Sequence, residues 1–158
     1  MCDEARNKFL EFIQKYKEIV NENISESDTR SKLIDSILID VLGWDENDIR
    51  REGHVSSGYY DYRVSIAGFS FIIEAKRQIV DFVLPNSKKR KFRLETIYSE
   101  NKNVIDQIRS YLDDCGCDIG IITNGKQFII SRFFSISGIP WKQNQCIVYN
   151  GFDDIEAN

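Results

Sequence analysis

Two neighbouring stretches of alternating residues, 60–66 and 69–76, constrain the fold of this chain more than any other feature. Successive side chains of a strand point to opposite faces of its sheet. The pattern therefore predicts two strands, with Asp61 on one face of the first and with Glu74 and Lys76 on one face of the second. The residues predicted on the opposite face are Tyr60, Tyr62, Val64, Ile66, Phe69, Phe71, Ile73 and Ala75.

The register of this hairpin follows from a turn at Ala67-Gly68. With these two residues as the loop, Asp61 pairs with Glu74, whereas a slip of one residue would mix the two faces. Opposed Cβ atoms lie about 4.5–5.5 Å apart, and two carboxylates at that distance repel each other. A cation between them would offset the repulsion, and oxygen ligands suit Mg²⁺ or Mn²⁺. The pattern also leaves open a pair of solvated carboxylates on an exposed face.

Two helices are predicted before the hairpin. The first covers about residues 3–20 and carries its apolar residues on one stripe, which favours a role in the core. The second begins with the capping-box pattern of residues 25–28 and ends just before Gly43. Glu26 projects from the inward edge of the first turn of this second helix.

A third helix is predicted over about residues 102–115, after the hairpin. Its Gln107 and Tyr111 are i,i+4 neighbours at the border of the apolar stripe. Both side chains form hydrogen bonds, so they can reach a phosphate or hold a catalytic lysine.

Further strands complete a sheet around the hairpin. One strand is predicted over residues 49–55, two flank the turn signal Asn124-Gly125, and residues 146–149 are predicted to add an edge strand. The order of elements predicts an α/β fold, with a central mixed sheet flanked by helices. We expect one domain, which consists of an N-terminal helix in 1–24, a core in 25–134 and a C-terminal extension in 135–158.

Six motifs follow one another along residues 26–134. They are Glu26 with Thr29-Arg30-x-Lys32-Leu33-Ile34-Asp35, Leu42-Gly43-Trp44, Tyr60-Asp61-Tyr62, Ile73-Glu74-Ala75-Lys76, Gln107-x-x-x-Tyr111 and Ile122-Thr123-Asn124-Gly125. Their order resembles the PD-(D/E)xK nuclease superfamily, and specifically the N-terminal nuclease domain of type I restriction enzyme motor subunits. The resemblance implies a restriction-endonuclease-like core. Tyr60 replaces the usual proline before the aspartate, which leaves the ligands intact.

The resemblance also implies a role for each matched residue. The implied ligands of a Mg²⁺ or Mn²⁺ ion are Asp61, Glu74, Glu26 (directly or through water) and the backbone carbonyl of Ala75. Lys76 would orient or deprotonate the attacking water. Gln107 and Tyr111 would position DNA or the lysine. Such a site would cleave a phosphodiester bond.

A basic segment offers a contact for nucleic acid in a chain that is acidic overall. The net charge is −4, which argues against nonspecific coating of nucleic acid. The residues predicted to contact nucleic acid are Lys88, Lys89, Arg90, Lys91, Arg93 and Arg30. The segment 88–93 either contacts DNA phosphates, with an affinity that falls steeply in salt, or forms a solvated and partly disordered loop.

Cysteine and histidine usage excludes several classes of protein. The four cysteines lack metal-ligand spacing, and the single histidine, His54, argues against His-based nucleases and Ser/His/Asp hydrolases. Free thiols suit a reducing cytosol. The sequence has no long apolar run, and its acidic first residues do not resemble a secretory signal. We therefore expect a cytoplasmic, prokaryotic protein with no membrane association.

The leading interpretation is a Mg²⁺-dependent DNA endonuclease domain of a restriction or phage-defence system. The chain has no GxxxxGK[ST] loop for ATP hydrolysis, so a motor would have to come from fused or associated domains. The domain would act with such motor or sensor domains, or as a homodimer. The second interpretation is a nuclease-fold module that binds nucleic acid or a partner protein without cleaving it. RNA cleavage is a third, since the same chemistry permits it. The joint presence of Asp61, Glu74 and Lys76 favours an enzyme.

Overall fold

The computed structural model of the protein describes residues 3–19 and 23–157. The helices are α1 (Asp3–Ile19), α2 (residues 26–41), α3 (Leu94–Tyr98), α4 (Lys102–Cys115) and α5 (Phe152–Glu156), with short 3₁₀ turns at Glu46–Asp48 and Trp141–Gln143. The strands are β1 (Ile49–Val55), β2 (Gly58–Ile66), β3 (Phe69–Ala75), β4 (Lys91–Arg93), β5 (Ile119–Thr123), β6 (Phe128–Ser131) and β7 (Gln145–Tyr149). Val20, predicted at the end of the first helix, lies outside the described residues. Within them, none of the helices combines the length and the apolar character that a membrane span requires.

The seven strands of the described residues form one mixed sheet in the order β1-β2-β3-β5-β6-β7-β4. Strands β3 and β5 are parallel, and the other neighbours are antiparallel. Parallel strands need a crossover connection, and α4 lies in the connection between β3 and β5. The predicted α/β architecture is thereby confirmed, and it is consistent with a restriction-endonuclease-like core.

Residues 146–149 do not form an edge strand, so that prediction was wrong. Strand β7 pairs with β6 on one side and with β4 on the other. The reason is that the basic connection after the hairpin itself contributes β4, in which Phe92 lies opposite Cys146. The edges of the sheet are therefore β1 and β4.

Helices cover both faces of the sheet. On one face, α3 and α4 pack against Ile72, Ile122 and Ile129 of the central strands. On the other face, Ile34 and Leu38 of α2 pack against β1, β2 and β3. Helices α1 and α5 pack against a further set of α2 side chains. The ends of β2 and β3 therefore lie between α2 and α4.

The β2–β3 hairpin has the predicted register. Residues 62–66 pair with residues 69–73 across a turn in which Gly68 has a φ of +78°. Asp61 and Glu74 are the next residues in this register, where the pairing of the two strands ends. Alternation with a period of two was sufficient to predict this arrangement, because a shifted register would have exposed the apolar face.

The predicted alternation fails at one residue, Tyr60. This side chain packs with Ile72 on the α4 face, whereas Tyr62 packs on the α2 face. The alternation is interrupted at Asp61, between the two tyrosines. Across from this position, Glu52 of β1 has a φ of +52°, a conformation that residues with side chains rarely adopt. A strict alternation therefore gave the wrong face for Tyr60, next to the point where the neighbouring strand has this unusual backbone.

Gly53 provides the space that the Tyr60 ring occupies. A Cβ at this position would lie 2.0 Å from atoms of the ring. We expect Gly53→Ala to lower the free energy of unfolding by about 2–3 kcal/mol, because the buried ring must move. Urea denaturation measures this loss. Gly151→Ala is the matched control, since a Cβ there meets nothing within 4 Å, and equal losses in the two variants would contradict the explanation.

Candidate functional site

Asp61 is held at both carboxylate oxygens. Oδ2 accepts a hydrogen bond of 2.7 Å from the backbone N–H of Ala75. Oδ1 accepts one of 2.8 Å from Nη1 of Arg30, and only 14% of the Asp61 side chain is exposed. Burial raises the pKa of Asp61, although the Ala75 amide and the Arg30 guanidinium oppose the rise. The carboxylate is thus fixed in position at the end of the hairpin.

Glu74 forms an ion pair with Lys76 through one oxygen only. Nζ of Lys76 donates to Oε1 of Glu74 at 2.6 Å. The other oxygen, Oε2, is buried and has no hydrogen-bond partner among the described residues. Burial, followed by the nearby charge of Asp61, raises the pKa of Glu74 to about 7, and Lys76 only partly offsets this rise. An unpartnered buried oxygen lowers stability, so Oε2 is a natural position for a ligand.

Lys76 is also bound to helix α4. Its Nζ donates to Oε1 of Gln107 at 3.0 Å, and Nε2 of Gln107 donates to the Tyr111 hydroxyl at 2.9 Å. The i,i+4 spacing places Gln107 and Tyr111 on the same side of the helix. The bond to Tyr111 fixes the Gln107 amide with its carbonyl toward Lys76. The predicted juxtaposition of these residues is therefore present.

Glu26 lies at the start of α2, near the two hairpin carboxylates. The predicted cap is present, because the Ser25 hydroxyl accepts a hydrogen bond of 3.0 Å from the Asp28 N–H. The charge of Glu26 contributes to the raised pKa of both Asp61 and Glu74. Within residues 3–19 and 23–157, no three acidic, histidine or cysteine side chains are grouped closely enough to hold a metal ion. Glu26 is thus an electrostatic neighbour of the pair and does not form a three-carboxylate cluster with it.

Helix α2 contains two π-helical stretches. Thr29–Ile34 and Ile37–Val41 have this geometry, and the Leu42 N–H donates to the Ile37 carbonyl at 2.9 Å, five residues back. Such turns occur often at functional sites. Arg30 belongs to the first of them. Nothing in the amphipathic pattern of the sequence distinguished these turns from an ordinary α-helix.

Buried amide side chains hold the segment that follows Lys76, and sequence reasoning missed them. Gln127 accepts from the Phe82 N–H at 2.8 Å and donates to the Phe82 carbonyl at 3.1 Å. Asn101 makes the same pair of bonds with Val83, at 3.2 and 2.9 Å. These bonds replace strand pairing for an irregular segment and fix its path away from Lys76. The signal for them in the sequence was their position: Gln127 follows the turn at Asn124-Gly125, and Asn101 directly precedes α4.

The residues predicted to contact nucleic acid lie in two separate places. Arg30 lies at the site and bonds to Asp61. Strand β4, with the basic residues 91 and 93, lies four strands away from β3, which corresponds to roughly 19 Å at about 4.8 Å per strand. Arg90 is paired with Asp154 at 2.7 Å, and residues 88 and 89 are exposed. The sheet therefore does not bring the basic segment next to Asp61.

The residues at the end of the hairpin fit a hard divalent cation. Asp61 and Glu74 supply carboxylate oxygens, which such cations prefer, and Oε2 of Glu74 has no other partner in the described part of the chain. Ala75, whose carbonyl was predicted as a further ligand, is completely buried and donates its N–H to Asp61. The arrangement places two carboxylates and a lysine at the end of a β-hairpin, in a sheet consistent with a restriction-endonuclease-like core.

The chain belongs to the family described as type I restriction enzyme R protein N terminus, which matches residues 25–138. The match extends from the capped start of α2 to beyond β6, so it includes all of the motifs that carried the resemblance. That resemblance is confirmed at the level of the family. No curated protein and no solved structure matched the chain.

Proposed function

We propose that this chain is a Mg²⁺-dependent endodeoxyribonuclease domain of a type I restriction R protein. The observation that carries the proposal is the buried Glu74: within the described part of the chain one of its oxygens has no partner, while Lys76 holds the other. A purely structural ion pair would be more stable with both oxygens satisfied. A local arrangement that costs stability is typical of a functional site.

Each side chain has a distinct role in the proposed reaction. Asp61 and Glu74 would hold the cation, with Glu26 assisting through its charge. When bound, Mg²⁺ would neutralise charge on the scissile phosphate and lower the pKa of water. Lys76 has three N–H donors, of which Glu74 and Gln107 each accept one. The third has no acceptor among the described residues and would hold the attacking water or a phosphate oxygen.

The proposed substrate and partners follow from the family. DNA is the substrate proposed for a restriction R protein domain, and other domains or subunits would supply the motor. One domain would cut one DNA strand at a time. A second copy of the domain would be required to cut both strands. The exposed lysines 88 and 89 would contact phosphates away from the scissile bond, because β4 is remote from β3.

Cleavage of matched substrates tests this proposal. Supercoiled plasmid, single-stranded DNA and RNA of the same sequence are incubated at equal salt, with Mg²⁺ or with EDTA. We expect nicked and linear plasmid only with Mg²⁺, and intact RNA. Cleavage of RNA alone would contradict the proposed substrate, and cleavage in EDTA would contradict the proposed cofactor.

A nuclease-fold module that binds without cutting is the second candidate. Two observations favour it: both oxygens of Asp61 have partners within the protein, and the described residues contain no three-ligand metal cluster. Such a module would bind DNA equally well with Mg²⁺ and with EDTA and would leave it intact. Measuring binding and cleavage in the same samples separates the two candidates.

A further inference from the structure

Arg30 bridges two carboxylates at the edge of the site. Its Nη1 donates to Oδ1 of Asp61 at 2.8 Å, and its Nη2 donates to Oε1 of Glu52 at 2.9 Å. The Arg30 side chain is 22% exposed, and Glu52 is 66% exposed. One guanidinium therefore contacts a mostly buried carboxylate and an exposed one.

The contact with Asp61 conflicts with the binding of a divalent cation. Oδ1 of Asp61 accepts from Arg30 and Oδ2 accepts from the Ala75 N–H, so an ion at either oxygen lies close to the guanidinium. A guanidinium and a dication at the same oxygen repel each other, and the repulsion is strong where solvent is partly excluded. Glu74 differs, because Lys76 contacts only its Oε1, and its Oε2 has no partner in residues 3–19 and 23–157. Both carboxylates thus pair with a cation of the chain, but only Glu74 keeps an oxygen without a partner among the described residues.

Glu52 offers the guanidinium a second position. Its backbone has a φ of +52°, and such strained conformations persist only where the surrounding structure holds them. A cavity of about 280 Å³ borders Arg30, Glu52 and Asp61, with Ser27 and Asp35 also in its wall. The guanidinium therefore has room to leave Asp61 while it keeps its bond to Glu52.

We propose that Arg30 is a competing cation of the site. Without a divalent ion it pairs with Asp61, and the bound ion displaces it toward Glu52, where it becomes available to a phosphate of the substrate. Arg30 is thus a positioning residue that keeps the ion affinity of the free protein low. This inference rests on the proposed function, because it requires Asp61 to be an ion ligand.

Titration with Mn²⁺, followed by the electron paramagnetic resonance signal of the free ion, tests the proposal. Arg30→Gln is expected to bind Mn²⁺ about tenfold more tightly than the wild type, because a repelling charge is removed. Arg30→Lys keeps that charge and should change the affinity less than Arg30→Gln does. Arg50→Gln is the matched control, since Arg50 is exposed on β1 and makes no ion pair within the described residues. Its affinity should equal that of the wild type.

A second measurement uses the wild-type protein alone. The guanidinium N–H signals of Arg30 in NMR spectra should shift when Mg²⁺ saturates the protein, while those of Arg90, paired with Asp154, should not. Unchanged Arg30 signals at saturation would overturn the proposal.

The outcomes separate this inference from the proposed function. In one outcome, the wild type binds Mn²⁺ and Asp61→Asn does not, so the ion site stands. If Arg30→Gln then binds Mn²⁺ no more tightly than the wild type does, the competition is overturned. Failure of both the wild type and Arg30→Gln to bind Mn²⁺ would remove the site and the inference together.

Discussion

Asp61→Asn and Lys76→Met are each expected to reduce Mg²⁺-dependent DNA cleavage by about a thousandfold or more. A thousandfold loss corresponds to about 4 kcal/mol of transition-state stabilisation, the size expected when a charged group at a phosphoryl-transfer site is removed. Asparagine keeps the shape of Asp61 and can still accept from the Ala75 N–H, so it removes mainly the charge. Methionine keeps the apolar stem of Lys76 and removes its bonds to Glu74 and Gln107.

The controls for this experiment are Asp113→Asn and Lys17→Met. Both residues are exposed and lie on α4 and α1, so they repeat the same chemical changes outside the site. Initial rates of plasmid nicking are compared among the five proteins, and circular dichroism verifies that each is folded. Equal cutting by all five would remove the site assignment, whereas equal loss in a variant and its control would point to a general effect of charge.

Glu74→Gln is expected to stabilise the metal-free protein at pH 8 by about 3 kcal/mol. The pKa of Glu74 rises from 4.5 to about 7 in the folded state, mainly because the carboxyl is buried. At pH 8 the ionised Glu74 carboxylate therefore lowers the free energy of unfolding, because it is buried in the folded state and solvated in the unfolded chain. Glutamine resembles the protonated form and avoids this cost, and its carbonyl can still accept from Lys76.

The pH dependence of this effect has a definite sign. Folding raises the pKa, so the folded state binds the proton more tightly than the unfolded chain does. The stabilising contribution of Glu74 is complete below about pH 4.5, decreases as the pH rises toward 7, and is lost above that. The gain from Glu74→Gln should therefore disappear near pH 4.5.

Urea denaturation of the wild type and Glu74→Gln across this pH range provides the measurement. Mg²⁺ at pH 8 should stabilise the wild type and not the variant, because binding to the folded state alone adds stability. Glu100→Gln, at an exposed position on the surface, is the control and should change little at any pH. A variant that is less stable than the wild type at pH 8 would contradict the raised pKa.

Local patterns in the sequence were sufficient to predict the main elements of the fold. The capped start of α2, the residues of α4 and the register of the β2–β3 hairpin all follow from short-range rules. Gly43, with a φ of +73°, ends α2 where the sequence placed its end. These features depend on residues within a few positions of one another, which a single sequence displays directly.

Features that depend on distant residues could not be predicted in the same way. The pair between Arg30 and Asp61 joins positions 31 residues apart, and Arg30 had been interpreted only as a contact for nucleic acid. The interrupted alternation at Asp61 lies across from Glu52, a residue of the neighbouring strand with a positive φ. Pairing of β4 with β7 joins a basic segment to a strand more than fifty residues later. Short-range propensity carries no information about such partners.

The candidate site depends both on local sequence patterns and on contacts between residues far apart in the chain. Alternation placed Asp61 and Glu74 opposite each other, but it did not indicate that one carboxylate would be fully partnered while the other kept a bare buried oxygen. That asymmetry arises from α2 on one face of the sheet and α4 on the other. It predicts that Glu74 offers an unpartnered oxygen as a ligand and that Asp61 binds an ion only as Arg30 moves.

Anomalous X-ray scattering from crystals grown with Mn²⁺ tests most directly whether these two carboxylates share a cation. We predict a single anomalous peak at the end of the β2–β3 hairpin, within about 2.5 Å of one oxygen of Asp61 and of Oε2 of Glu74. The same peak should be missing from crystals of Glu74→Gln. A wild-type crystal that shows no peak at this position, or shows one only elsewhere on the surface, would contradict the account.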